Sequence, residues 1–144
     1  MRLGAQSVSI GVVVMPINYV LYPDHPLIVT TGSGVVTDEE LLAHWHNGYT
    51  DEWISWGTSE VLDLRAVERF EATPTGLREL VDLDANYAKQ QSAPFKFAIV
   101  APLDYIFGMM RIYQTYSDQN PNFVGVFTDL SGVEEWLGTS LPAA

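Results

Sequence analysis

An α/β fold, with a mixed but mostly parallel sheet of about five strands and about four helices, is predicted by three features of this sequence. Two short runs rich in β-branched and aromatic residues, 17–22 and 27–31, flank the turn Pro23-Asp24-His25-Pro26 and so predict an antiparallel hairpin. Beyond them, short and nearly unbroken apolar runs alternate with longer stretches of helical period, the pattern of strands covered on both faces. Helix start and stop signals fall where that alternation needs them.

The elements follow in order. Gly32-Ser33-Gly34 reads as the exit from the second strand, a tight turn that glycine permits. Thr37 opens a helix, and Glu40 three residues on completes a capping box that satisfies two orphan N–H groups. Asp38 and Glu39 suit the positive end of that helix. Asn47-Gly48 marks its stop, and Asp51 offers a second start. Residues 61–64 are a strand covered on both faces. Thr73 and Pro74 begin the next helix, with Pro where its missing N–H costs nothing; Leu77, Leu80, Val81 and Tyr87 share one side of it. Residues 97–100 form another buried strand, closed by Pro102. A helix over 104–117, a strand over 123–127 and a short helix over 132–137 complete the chain.

Composition bounds the function. The 144 residues fit one domain, drawn from 15 to 144, with 1–14 as an N-terminal extension. A chain of this size buries roughly 70% of its unfolded surface, so one core suffices. The 47% apolar and 17% charged content reads as globular. Cysteine is absent, which removes disulfides, thiol nucleophiles and thiolate metal sites and fits a reducing compartment. Eighteen acidic residues against seven basic ones give a net charge of −11, which repels nucleic acid and anionic membranes. The apolar run 8–15 is too short to span a bilayer, and Pro16 and Ile17 follow it rather than a small-residue cleavage site. A cytoplasmic protein without an integral membrane segment is the expectation.

The segment Val61-Leu62-Asp63-Leu64-Arg65-Ala66-Val67, followed by Thr73-Pro74-Thr75-Gly76-Leu77, resembles the signature of STAS domains. There a strand reading V-L-D-L-x-x-V leads to D-S-S-G-L at a helix start. Ala98-Ile99-Val100-Ala101-Pro102, with Asp104, Gly108, Met109, Arg111 and Tyr113 after it, resembles the SpoIIAA-like branch, also grouped as STAS/SEC14-like. The resemblance runs from about residue 16 to the last helix. It implies a superhelix of β/α turns and no enzymatic activity in the domain. In the anti-sigma antagonists of the wider family, the first Ser of D-S-S-G is a phosphate switch. Here that place is Pro74, which has no hydroxyl, and the preceding acid is Thr73. Thr75 matches the second Ser and carries a hydroxyl that could accept phosphate; the favoured reading is a helix-start residue bonding backbone. The SpoIIAA-like branch, related in fold to SEC14 lipid carriers, implies a small apolar ligand.

Candidate sites are few. His44 and His46 lie two apart on a helix and point about 200° away from each other, so they cannot ligate one ion; His44 pairs better with Glu40, and His25 sits in a distant turn. No metal and no cofactor are expected. Gly32-Ser33-Gly34 lacks the Lys of a phosphate loop. Asp63 has no Ser or His at matched spacing and reads as a structural hydrogen-bonding group.

Aromatic residues carry more information. Trp45, Tyr49, Trp53 and Trp56 recur at spacings that make one helical stripe, either a core face or a pocket wall. The helix 104–117 bears two apolar stripes, one of Tyr105, Met109, Ile112 and Tyr116 and one of Ile106, Met110 and Tyr113, so it needs covering on more than one side. The expectation is a non-enzymatic STAS-like module holding a small apolar molecule, with Trp45, Tyr49, Trp53, Tyr105, Met109 and Tyr113 lining the site. The alternative is a protein-interaction module, a homodimer or a partner of a bacterial signalling protein, that uses helix 104–117.

Overall fold

Period-two polarity decides which way each strand faces, and the strands assemble in chain order. The computed structural model describes residues 16–25, 27–48, 59–88, 96–102, 104–119 and 123–142. In it β1 (Ile17–Tyr22), β2 (Leu27–Thr37), β3 (Ser59–Glu71), β4 (Lys96–Val100) and β5 (Phe123–Phe127) lie side by side in that order. β1 and β2 are the antiparallel hairpin, with Val20 opposite Val29; every later pair is parallel. Parallel neighbours need crossovers, supplied by α1 (Asp38–Gly48), α2 (Pro74–Ala88) and α3 (Asp104–Tyr116), the last continued by a 3₁₀ turn at Ser117–Gln119. A one-turn helix, α4 (Val133–Leu137), follows β5.

The two faces of the sheet carry separate cores. Ile28, Leu62, Leu64, Phe97 and Ile99 pack under Leu41 and Trp45 of α1, Leu77, Leu80 and Val81 of α2, and the buried side of α3. Their sequence neighbours Leu27, Val61, Ala98 and Val100 point the other way, where Val133 and Leu137 of α4 cover them. This is why the central strands read as unbroken apolar runs: both sides of each are buried. None of the described helices is long and apolar enough to cross a membrane.

Three expectations change. β3 does not stop at Leu64 but runs on to Glu71. β2 does not end at Gly32 but runs through Gly32-Ser33-Gly34 to Thr37, with register shifts on either side of Ser33 and Gly34. Gly34 takes a φ of 63°, the left-handed conformation glycine tolerates in a bulge, and a Cβ at Gly32 would stand 2.9 Å from Leu64 Cδ2. The glycines bend a strand that continues.

The third change concerns α3. Ile106, Met109, Met110 and Tyr113 are all buried within the chain, because α3 packs against α2 as well as lying on the sheet. The apolar stripe expected to seat a second subunit is therefore consumed inside the fold. Among the large apolar residues of α3, Tyr105 is the exposed one, at 62% of its surface. A homodimer through Met110 and Tyr113 loses its motive.

Candidate functional site

At the carboxyl edge of the sheet, β2 and β3 project beyond their neighbours as a pair, since β4 meets β3 only over Glu60 to Asp63. Thr37 lies opposite Glu71, so α1 and α2 begin next to each other. Thr37 and Glu40 form the expected capping box: the Glu40 N–H donates to Thr37 Oγ1 at 3.3 Å, and the Thr37 N–H donates to Glu40 Oε1 at 3.0 Å. Asp38 is turned instead to the neighbouring helix. It accepts the Thr73 N–H at 2.7 Å and the Thr73 hydroxyl at 2.6 Å, while Thr73 Oγ1 accepts the Gly76 N–H at 3.1 Å. Thr73 thus caps α2, and Asp38 holds the cap. The carboxylate at the start of α2 comes from α1, and a Cβ on Gly76 would collide with it.

The amino edge holds a buried polar cluster that sequence reasoning missed. Glu60 is 2% exposed. Its carboxylate accepts the Thr30 hydroxyl at 2.5 Å and the Trp45 indole N–H at 3.0 Å, with His44 Nε2 at 3.6 Å. His44 is itself buried, edge-on to Trp45 and Tyr19, rather than paired with Glu40 as expected. Glu40 is engaged in the capping box, and Thr30 and Glu60 face the α1 side of the sheet, where His44 of α1 meets them. A hydroxyl, an imidazole and a carboxylate meet here, but Thr30 is fully buried and its proton points to Glu60. A hydroxyl sealed from solvent and committed to a carboxylate is not an available nucleophile. The cluster holds α1 to the sheet.

Alternation carried a signal for it: Glu60, Leu62 and Leu64 share one face, so a strand begun two residues earlier would have placed Glu60 in the core. The same holds for Asp84, which extends the stripe Leu77, Leu80, Val81 by one turn. Asp84 is buried and accepts a hydrogen bond from the Tyr113 hydroxyl. Burial, then the charge of Asp84 and the hydrogen bond to it, hold the Tyr113 phenol well above its ordinary pKa. Asp63 takes the structural role expected. Burial raises its pKa, but hydrogen bonds from the side chain and backbone of Arg65, together with that cation's charge, outweigh this and hold it below the ordinary value.

Of the six expected lining residues, Trp45, Met109 and Tyr113 sit in one core, with Phe97 between the rings of Trp45 and Tyr113. Tyr105 stands apart at the solvent-exposed start of α3. Tyr49 and Trp53 lie outside the described residues, as do Trp56 and the second helical start at Asp51. The cavity that Trp45 and Tyr113 border, with Leu41, Leu62 and Leu77, measures about 10 Å³. That is the room one water needs, because the side chains of three helices and the sheet already interdigitate there.

A larger concavity lies on the outside. Between α1 and α2 runs an open groove of about 500 Å³. Half-buried Leu42 and Leu83 form its floor with exposed Ala43 beside them, and exposed His46, Glu79, Asp82 and Asn86 line it as well. These positions recur at three and four residues on each helix, so they are the facing stripes of two neighbours. Among the described residues, no group of three or more His, Asp or Glu side chains is arranged to hold a metal ion.

No family model matches the chain, and no curated protein matches it. Among solved structures, it is similar to an uncharacterised protein of the DUF3478 family from Shewanella loihica PV-4, described as having a SpoIIAA-like fold. The two superpose with a TM-score of 0.53 at 12% identity, over 91% of this chain and 99% of that one. The sheet order, the antiparallel first hairpin and this likeness agree: the chain has a SpoIIAA-like, STAS-type α/β fold.

Proposed function

We propose that this chain is a non-enzymatic binding module that works through its surface, as a protein-interaction or regulatory domain docking by the groove between α1 and α2. The contrast in available space carries the reading. The core beneath Trp45 and Tyr113 leaves about 10 Å³, whereas the outer groove offers about 500 Å³ over an apolar floor. Small-molecule sites run from roughly 300 Å³ and enclose most of their ligand; a shallow trough between two helices suits the side chains of another protein. The expected apolar ligand among Trp45, Met109 and Tyr113 would have to displace rings that already fill the core.

Two groove variants test the proposal. Leu42→Asp and Leu83→Asp change half-buried floor positions and should leave the circular dichroism spectrum intact. In the native cells, both should lose the protein cross-links that the wild-type chain forms. Native mass spectrometry supplies the other arm. A stoichiometric apolar molecule retained by the wild type, with cross-links unchanged in both variants, would reject surface docking.

A further inference from the structure

The same groove has a charge pattern that narrows its occupant, and this inference rests on the docking proposed above. Glu79 and Asp82 on α2 stand over the apolar floor. On α1, Glu39, Ala43 and His46 continue one helical stripe, and Glu39 belongs to an acidic concavity with Asp38, Glu40 and Glu71 at the helix start. Arg78 of α2 is turned to the far side, where its guanidinium lies 5.1 Å from the centre of the Tyr116 ring. Among the described residues, no lysine or arginine lines the groove.

We infer that the groove receives a cationic amphipathic helix of a protein partner, its apolar stripe on Leu42, Ala43 and Leu83 and its lysines or arginines on Glu79, Asp82 and Glu39. Length supports a helix: the α2 rim from Glu79 to Asn86 spans about 10 Å, roughly two turns, enough for anchors spaced i, i+3 or i+4, and i+7. Charge excludes the nearest alternative. A second copy of this chain carries a net charge of −11 and an equally acidic α1–α2 face, so like faces repel. Complementary charge steers encounter and rejects wrong partners, while the apolar floor supplies the buried contact.

The test uses the full chain and three synthetic helical peptides of about fourteen residues, roughly 21 Å when helical. They share one leucine stripe and carry lysine, glutamine or glutamate elsewhere. Backbone amide shifts map the contact, and titration gives affinity. The leucine–lysine peptide should shift the amides of Leu42, Ala43 and Leu83 saturably. Glu79→Gln with Asp82→Asn, two exposed near-isosteric changes, should weaken it about tenfold, as expected of two exposed ion pairs worth roughly threefold each.

Equal binding of the glutamine peptide at the same amides would overturn the cationic partner and leave surface docking standing. Shifts spread over Asp38, Glu39 and Glu71, insensitive to the paired variant, would also overturn it, as mere attraction to an acidic surface. If none of the peptides shifts the groove amides, both the partner chemistry and the docking reading fall.

Discussion

Replacing Trp45 separates a core ring from a pocket wall. The indole is 1% exposed, stands edge-on to Phe97 at 5.6 Å and donates to Glu60 at 3.0 Å. A buried tryptophan removes about 150–250 Å² from water, and roughly 25 cal/mol per Å² makes that about 4–6 kcal/mol as an upper bound. Truncation to alanine in a close-packed core costs about 3–5 kcal/mol. A domain of 144 residues has about 7–20 kcal/mol in all, so Trp45→Ala should shift the urea midpoint far down without abolishing folding in the upper part of that range. Trp45→Phe isolates the polar share. It keeps a ring against Phe97 but takes a donor from a buried carboxylate, a loss of roughly 1.5–3 kcal/mol. A double-mutant cycle of Trp45→Phe with Glu60→Gln, read by circular dichroism in urea, should show coupling of about 0.5–3 kcal/mol. The reasoning fails if Trp45→Ala costs less than about 1 kcal/mol while the wild type binds a hydrophobic probe saturably. Trp45 would then face a ligand site instead of filling the core.

Tyr113 should make the protein sensitive to alkali. Its folded pKa is raised, so the unfolded chain releases the phenolic proton first; stability is present below about pH 10 and falls as pH rises beyond it. Unfolding free energies between pH 8 and 11 should show that decline in the wild type and a smaller one in Tyr113→Phe; equal slopes would disprove it. Gly76→Ala should destabilise α2 although alanine is the better helix former, because the new Cβ meets Asp38, and pairing it with Asp38→Ala should recover part of the loss. Met110→Asp, at a position 3% exposed, should unfold the chain rather than convert a dimer to a monomer, since an unpaired buried charge costs several kcal/mol. A folded Met110→Asp variant with altered sedimentation would reinstate α3 as an interface.

Sequence reasoning located nearly every element because local chemistry marks the boundaries: Thr37 and Glu40 cap α1, Pro74 starts α2, and the alternating strands face as period two requires. It failed where a residue's meaning depends on partners distant in the chain. Glu60 lies 30 residues from Thr30 and 15 from Trp45, and only the parallel pairing of β2 with β3 brings the cluster together. The stripes of α3 were legible, but not that α2 and the sheet bury Ile106, Met109, Met110 and Tyr113 and leave Tyr105 outside. Trp45 stood out by type and spacing, and those properties suit a core ring as well as a pocket wall; in the fold it packs against Phe97 within the core cluster. The groove was invisible for the same reason. Leu42 and Leu83 belong to helices on either side of β3, and neither helix alone predicts the trough between them.

The strand order carries a consequence for how the chain folds. Because each strand pairs with its predecessor, successive β/α units can be laid down one at a time, each on a platform already built, without waiting for a distant segment. Pairing each strand with its predecessor confines each closing loop to a single turn or crossover. Among the described residues, a link at the hairpin breaks the rule. The C-terminal tail returns to the first hairpin, where Ser140 O lies 3.0 Å from His25 Nδ1 and the Thr139 hydroxyl donates to His25 O at 3.3 Å, more than 110 residues apart in sequence. Among the described residues that clasp closes a loop of more than 110 residues, so in a stepwise assembly it forms after the sheet is laid down.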